Sequence, residues 1–334
     1  DMRFTSVPPF RPQGEERDVL ATLDILQKAK KPVIISGGGV KYSRASAALM
    51  QFAEGLNIPV ATSLNGKDTF LANHPLAAGV VGTYSRGSAN QIVKNADTIC
   101  FIGTKTGGMT THFWNIPEVG IPAIQIDIDP AEIGRNYPLK ASVQGDALTV
   151  VEKMLTLMDT STGKNRENWV KECNRIVSNW YSDFDTLLKS EDVPIRPERL
   201  CSELTNLVPS DSLIVVDPGH AGMWMGGMFD ITSPSQDYIR SAGHLGWAFP
   251  AALGAKCALP QRPVVCFTGD AGFWYHIAEI ETAVRWNINS IIVVNNNSAG
   301  NQSKTGFDRA YGGTQTEEAK KMWNFTKVNF ANIA

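Results

Sequence analysis

Residues 266 to 297, CFTGDAGFWYHIAEIETAVRWNINSIIVVNNN, contain two apolar stretches separated by a segment of helical character. The first stretch ends in the tetrapeptide GDAG (269–272), and the second ends in three asparagines (295–297). A carboxylate and three carboxamides cannot fill an apolar core, because buried polar groups need hydrogen-bonding partners. The pattern therefore predicts a strand, a helix and a second strand, with a polar site where the two strands end.

The same alternation of apolar strands and helices continues along the rest of the chain. Near-continuous apolar strands between helices are typical of a parallel sheet that is covered on both faces. A polar, glycine-containing segment at 159–168 is the best candidate for a linker, and an amphipathic helix that begins at Trp169 is expected to pack within the second domain. We predict an α/β fold with two open, doubly wound parallel-sheet domains, residues 1–160 and 161–334. The further predicted strands lie at 31–39, 58–63, 97–103, 121–129 and 211–219.

The composition of the 334-residue chain is that of a soluble globular protein, with 43% hydrophobic and 19% charged residues. A formal net charge of −2 argues against a nucleic-acid-binding or membrane-surface protein, because both need a basic face. No apolar run is long enough for a transmembrane helix, and the five cysteines lack paired spacing. We therefore expect a cytoplasmic protein with no nucleic-acid partner and no membrane association.

Asp270 and a strand-end asparagine would supply the hard oxygen ligands that Mg²⁺ prefers. Ligands of open parallel sheets bind at the carboxyl ends of the strands, and Gly269 and Gly272 would let a phosphate approach the backbone there. The residues thus indicate a magnesium–diphosphate site. In the alternative interpretation, Asp270 only caps a following helix at about 275–286 and the asparagines form a turn.

The sequence from Gly269-Asp270 to Asn297 resembles the fingerprint of thiamine-diphosphate-dependent enzymes, a Gly-Asp-Gly opening closed by Asn-Asn. The resemblance implies that Asp270, Asn297 and the carbonyl group of Ala299 bind Mg²⁺, which holds the diphosphate. Ala271 stands where the family usually has glycine, a change that keeps the backbone N–H. Because three asparagines are adjacent, Asn296 is an alternative to Asn297 as the metal ligand.

A second segment, GHLGWAFPAALGAK (243–256), is similar to a stretch that precedes this fingerprint in acetolactate synthases. The resemblance implies that Leu245 wedges under the cofactor, and that the Gly243 carbonyl and the Leu245 N–H face its pyrimidine ring. The alternative is that Leu245 is an ordinary core residue. In DPGHAGMWMGGM (217–228), which resembles a His-Gln-Met-Trp segment of the family, His220 is a candidate for the diphosphate or else a solvated loop residue.

The first half of the chain, including KPVIISGGGV (31–40), is similar to the central domain of the same family. In several members this domain binds FAD or ADP, but SGGGV departs from GxGxxG and the segment 103–114 departs from the flavin-binding pattern. FAD is therefore a possible cofactor. Members usually begin with a pyrimidine-binding domain whose glutamate activates the cofactor, and nothing similar precedes Asp1. We expect a fragment or one piece of a divided subunit, inactive alone.

The resemblance implies a thiamine-diphosphate- and Mg²⁺-dependent lyase or ligase that acts on C–C bonds of 2-oxo acids or dicarbonyl compounds. The site would form with the pyrimidine-binding domain of the same or another subunit, in a homodimer or homotetramer. The polar segment 298–313 offers Asn301 and Gln302 for the substrate, or else forms a lid. Its departure from acetolactate synthases leaves cyclohexane-1,2-dione hydrolase, glyoxylate carboligase and sulfoacetaldehyde acetyltransferase as alternatives, together with a non-catalytic nucleotide-binding or assembly module.

Overall fold

The computed structural model describes residues 10–333, and the chain divides into two compact units after Asp185. Each unit contains a sheet whose strands all run parallel, with helices between several of the consecutive strands. This arrangement confirms the predicted α/β class with two open parallel sheets. The division at Asp185 lies later in the chain than the predicted boundary at residue 160.

The first unit contains a six-stranded sheet in the order β3-β2-β1-β4-β5-β6. Its strands are β1 (Pro32–Ser36), β2 (Val60–Thr62), β3 (Ala77–Val80), β4 (Thr98–Ile102), β5 (Ala123–Asp127) and β6 (Leu139–Gln144). Its helices are α1 (Glu16–Lys28), α2 (Gly38–Ser43), α3 (Ser46–Leu56), α4 (Gly87–Asn95) and α5 (Ala147–Leu157), followed by α6 (Glu167–Leu188), which extends past the boundary between the units. Short 3-10 helices span Leu64–Thr69 and Thr160–Arg166.

Both faces of this first sheet are buried, as expected for parallel strands made of continuous apolar residues. Along β1, Ile34 contributes to one hydrophobic cluster, whereas Val33 and Ile35 contribute to the cluster on the other face. Leu23 and Phe52, from α1 and α3, cover the first face. The apolar run of β1 therefore follows from burial on two sides, because successive side chains point to opposite faces.

The long helix α6 packs against the first sheet and not within the second unit. Its residues Trp169, Cys173 and Ile176 belong to the same hydrophobic cluster as Val33 and Ile35 of β1. The Trp169 indole N–H also donates to the carbonyl of Pro32 at 3.0 Å. The apolar stripe was recognised from its helical spacing, but its spacing does not identify the sheet that it covers.

The second unit contains a four-stranded parallel sheet in the order β10-β9-β7-β8. Its strands are β7 (Leu213–Val216), β8 (Asp237–Arg240), β9 (Val264–Gly269) and β10 (Ile291–Asn295). Its helices are α7 (Pro197–Leu207), α8 (His220–Gly227), α9 (Ala248–Ala258), α10 (Asp270–Tyr275), α11 (Glu279–Arg285), α12 (Asn301–Ala310) and α13 (Glu317–Lys321), with a 3-10 turn at Phe330–Asn332. The helix predicted at about 275–286 corresponds to α11, and the short helix α10 precedes it directly after β9.

Within residues 10–333, none of the helices combines the length and the hydropathy that crossing a bilayer requires.

Candidate functional site

The carboxyl ends of three neighbouring strands meet at one edge of the second sheet. Strand β10 pairs in parallel with β9, so that Asn295 lies opposite Gly269, and β7 pairs with β9 on its other side. Asp217, Asp270 and Asn297 therefore follow adjacent strand ends. Loops at this edge of an open parallel sheet are the usual ligand site of such folds.

Asp270 is a buried carboxylate, 3% exposed, that joins the ends of β9 and β10. One of its oxygens accepts from the N–H of Ala271 at 2.8 Å, and the other accepts from the N–H of Ala299 at 3.0 Å. Gly269 is the N-cap residue of α10 and Ala278 that of α11, so Asp270 does not cap the later helix. Its side chain instead holds the turn that follows β10.

The structure separates the two candidate asparagines. The side-chain oxygen of Asn297 accepts from the N–H of Ala299 at 3.1 Å, the same N–H that Asp270 binds. The amide of Asn296 donates instead to the carbonyl of Val328 at 2.9 Å, and its oxygen accepts from the N–H of Ser298 at 3.1 Å. Asn297 is therefore the neighbour of Asp270, and Asn296 is turned toward a different segment.

The oxygens of Asp270 and Asn297 fit the ligand preference of Mg²⁺. Two backbone N–H donors do not neutralise a buried carboxylate, so a bound cation would complete this arrangement. Within the described part of the chain, no three His, Cys, Asp or Glu side chains gather to form a metal centre. An ion here would need amide, backbone, water and phosphate oxygens, which is the ligand set typical of Mg²⁺.

Gly269 and Gly272 have different surroundings. A Cβ atom added to Gly269 would meet no atom within 4 Å, so the backbone there is open to a ligand. A Cβ atom added to Gly272 would lie 2.0 Å from a carboxylate oxygen of Asp217. Close packing against Asp217 therefore requires glycine at position 272, whereas position 269 retains the open space that a phosphate would need.

Asp217 is a site residue that the sequence reasoning missed. It is fully buried, and its two oxygens accept from the N–H groups of Gly246 and Ala248, each at 3.0 Å. The hydroxyl of Thr268 also donates to it, at 3.3 Å. Burial raises the pKa of Asp217, and these donors oppose that rise. The available signal was that Asp217, like Asp270, is a carboxylate directly after an apolar strand.

The turn between β8 and α9 carries Gly243 and Leu245. Leu245 is 37% exposed and is therefore not an ordinary core residue. Gly243 and Gly246 both have positive φ angles, 103° and 89°, which disfavour other residues there. A Cβ atom on Gly246 would lie 2.9 Å from the carbonyl oxygen of Gly272, so this turn packs against the turn at the end of β9.

His220 and Gln302 lie near each other at the same edge. His220 is the first residue of α8 and is half-buried, and burial lowers the pKa of its imidazole. The imidazole is therefore more often neutral near pH 7 than that of a solvated histidine. The Gln302 side-chain oxygen lies 3.2 Å from where a Cβ atom on Gly219 would stand. Asn301 is the first residue of α12, so the predicted substrate segment is largely helical.

A cavity of about 1190 Å³ lies beside β10 and reaches the strand-end residues Asn296 and Asn297. Ile280 and Val284 line one wall and Val328 and Phe330 another. Its lining includes amides, hydroxyls and Lys327, but among the residues that line it there is no carboxylate to hold a cation. The strand ends around Asp270, with their convergent oxygens, are therefore the better candidate site.

In the first unit, packing explains the glycines of the SGGGV segment. A Cβ atom on Gly37 would lie 2.2 Å from the carbonyl oxygen of Gly103, and one on Gly39 would lie 2.7 Å from its Cα atom. The loops after β1 and β4 thus touch through their backbones. Gly37 and Gly39 are therefore needed without any nucleotide, so these two glycines are not evidence for a flavin.

Comparison with known proteins gives matches for both units. Residues 19–154 match the family model of the thiamine pyrophosphate enzyme central domain, and residues 217–334 match that of the C-terminal thiamine pyrophosphate-binding domain.

Among curated proteins, the chain is 33% identical over 299 residues to a probable acetolactate synthase large subunit of Methanococcus aeolicus, covering 85% of this chain and 49% of that protein. It is 29% identical over 308 residues to the acetolactate synthase isozyme 3 large subunit of Escherichia coli, covering 91% and 53%. The chain spans about half the length of the curated relatives that it matches.

Proposed function

We propose that this chain, which belongs to the thiamine pyrophosphate enzyme family, supplies the central and diphosphate-binding parts of an enzyme that makes or breaks a C–C bond next to a carbonyl group. The observation that best supports the proposal is that the side-chain oxygens of Asp270 and Asn297 both accept a hydrogen bond from the N–H of Ala299. These two residues follow the ends of neighbouring strands within the region that matches the thiamine pyrophosphate-binding domain.

Different residues of the site would bind different parts of the cofactor. Asp270, Asn297 and the carbonyl of Ala299 would bind Mg²⁺, and the open backbone at Gly269 would accept the diphosphate. His220, Ala271 and Gly272 lie on the turns next to it. Leu245 would support the cofactor from below, with the Gly243 carbonyl and the Leu245 N–H toward the pyrimidine. When bound, thiamine diphosphate supplies a thiazolium ring that stores the electrons of the cleaved bond.

For the substrate we propose a 2-oxo acid or a dicarbonyl compound. The curated relatives are named acetolactate synthase large subunits, which supports a reaction of that type. The polar residues Asn301 and Gln302, at the start of α12, would contact the substrate. Because this segment departs from acetolactate synthases, we keep cyclohexane-1,2-dione hydrolase, glyoxylate carboligase and sulfoacetaldehyde acetyltransferase activities as alternatives, and a non-catalytic nucleotide-binding or assembly module as the rival.

The assembly and the location follow from the same proposal. The site would be completed by a pyrimidine-binding domain of the same or another subunit, in a homodimer or homotetramer, and the protein would be cytoplasmic. FAD in the first unit stays a prediction that rests on the resemblance of that unit to the central domain of the family. A yellow chromophore released when the purified protein is denatured would support it.

Calorimetric titration tests the proposed function. With Mg²⁺ present, thiamine diphosphate is expected to bind saturably, because the metal links the diphosphate to Asp270. Removal of the metal with EDTA is expected to weaken binding by at least about tenfold, the scale on which disturbed metal sites lose affinity. If no heat is observed at millimolar ligand, for the chain together with any further domain of its protein, the non-catalytic module is favoured.

Two adjacent asparagines offer a matched pair for the metal assignment. Asn297→Ala is expected to weaken binding of thiamine diphosphate with Mg²⁺ by about 10- to 100-fold, because it removes an oxygen beside Asp270. Asn296→Ala removes the same amide group at a position whose side chain binds the carbonyl of Val328. The affinity of this variant is therefore expected to match that of the unaltered protein. Equal affinities for the two variants would contradict the assignment of Asn297.

A further inference from the structure

The geometry points to Asp217 as a positioning residue that holds the Gly243–Gly246 turn against the diphosphate-binding turn at 268–272. This inference rests on the proposed function, because it concerns how the two halves of one cofactor are held in register. Asp217 itself would touch neither the metal nor the cofactor. It would act through Leu245, which directly precedes Gly246, the residue whose N–H donates to Asp217.

The contacts of the Asp217 carboxylate come from two separate segments. Its Oδ1 accepts from the N–H of Ala248 at 3.0 Å, and its Oδ2 accepts from the N–H of Gly246, also at 3.0 Å. The hydroxyl of Thr268, two residues before Asp270, donates to Oδ2 at 3.3 Å. One buried side chain at the end of β7 therefore joins the start of α9 to the end of β9.

The turn at 268–272 also packs directly on this carboxylate. Glycine at position 272 leaves the space that the carboxylate fills, since a Cβ atom there would overlap Oδ2 at 2.0 Å. The Gly272 carbonyl in turn lies 2.9 Å from where a Cβ atom on Gly246 would stand. The two turns thus meet around Asp217, whose side chain sets the position of the Gly243–Gly246 turn relative to the turn at 268–272.

An ionised carboxylate suits these contacts better than an amide. It offers acceptors on both oxygens, whereas an asparagine offers one oxygen and would turn its NH₂ group toward another N–H donor. A buried donor that loses its acceptor costs free energy, so an amide would push one segment away. Burial of the charge itself opposes folding, as the raised pKa of Asp217 shows.

The test compares two ligands that use different parts of the site. Thiamine diphosphate would contact both turns, whereas inorganic pyrophosphate with Mg²⁺ would contact only the turns at the ends of β9 and β10. Asp217→Asn is expected to raise the dissociation constant of thiamine diphosphate by about tenfold or more, the scale of one buried donor that loses its acceptor. The dissociation constant of pyrophosphate is expected to be unchanged. Asp237→Asn is the control, since it alters a carboxylate at the amino end of β8 that binds Arg262.

A double substitution separates positioning from general destabilisation. Leu245→Ala is expected to weaken binding of thiamine diphosphate but not that of pyrophosphate. If Asp217 acts through Leu245, the two substitutions affect the same contact and their effects do not add. The affinity of the Asp217→Asn/Leu245→Ala protein for thiamine diphosphate is then expected to be close to that of the single variant with the lower affinity. Fully additive losses, or equal losses for both ligands, would overturn the inference.

A milder variant covers the case in which Asp217→Asn does not fold. Thr268→Val removes one of the three donors, and it is expected to weaken binding of thiamine diphosphate relative to pyrophosphate in the same direction. An unchanged ratio in that variant would overturn the inference. Binding of neither ligand by the unaltered protein with Mg²⁺ would instead reject the proposed function, and with it the role of Asp217.

Discussion

Asp270→Ala is expected to lower the affinity for thiamine diphosphate with Mg²⁺ by at least about 100-fold, the upper end of the losses that follow disturbance of a metal site. The substitution removes the carboxylate that is buried between the ends of β9 and β10. The N–H of Ala299 keeps the side-chain oxygen of Asn297 as an acceptor at 3.1 Å. The fold is therefore expected to survive, and binding alone to be lost.

Calorimetry and thermal unfolding of the same samples would check this expectation. Asp211→Ala is the matched control, because Asp211 is an exposed carboxylate in the same unit, ahead of β7. The control is expected to bind as the unaltered protein does. Retained affinity in Asp270→Ala would contradict the proposed metal ligand, whereas lost affinity together with a large fall in the melting temperature would indicate damage to the fold.

Arg166→Met is expected to give the largest loss of stability, about 3–5 kcal/mol, as is typical when a buried, hydrogen-bonded charged group is removed. Arg166 is 1% exposed and donates to carbonyls at the ends of two helices. The acceptors are Leu26, Gln27 and Ala29 at the end of α1, and Leu56 at the end of α3. Methionine would fill the space but leave these buried carbonyls without that donor.

Denaturant unfolding of the first unit, followed by a probe in that unit, would measure the change. Arg17→Met is the control, because the Arg17 side chain is 85% exposed and pairs with a neighbouring exposed aspartate, Asp18. A surface ion pair of this kind contributes about 0–1 kcal/mol, so the control is expected to change stability little. Equal effects of the two substitutions would show that the helix-end contacts of Arg166 do not stabilise the unit.

The parts of the fold that were predictable depend on short stretches of sequence. An apolar run such as that of β9 can be recognised in the sequence as a buried strand, because burial on two faces excludes polar residues along its length. Gly269-Asp270, directly at the end of this run, could be recognised as the end of the strand, because a charged residue interrupts the apolar pattern. The edge at which Asp270 and Asn297 meet then follows from parallel pairing.

The parts that were missed depend on contacts between distant residues. Gly272 is glycine because of Asp217, and no local pattern connects positions so far apart. The choice between Asn296 and Asn297 depends on a single backbone turn near Ser298, whose φ angle of 55° is uncommon for serine. The packing partner of α6 likewise could not be read from its own apolar stripe.

The attachment of α6 to the first sheet has a practical consequence for anyone who expresses that half alone. A fragment cut at residue 160 would lack Trp169, Cys173 and Ile176 and would lose that part of the cover on the face of Val33 and Ile35. A partly uncovered apolar face of this kind favours aggregation during purification. A fragment carried through to Asp185 keeps that cover and is the sensible unit for crystallisation or for nuclear magnetic resonance.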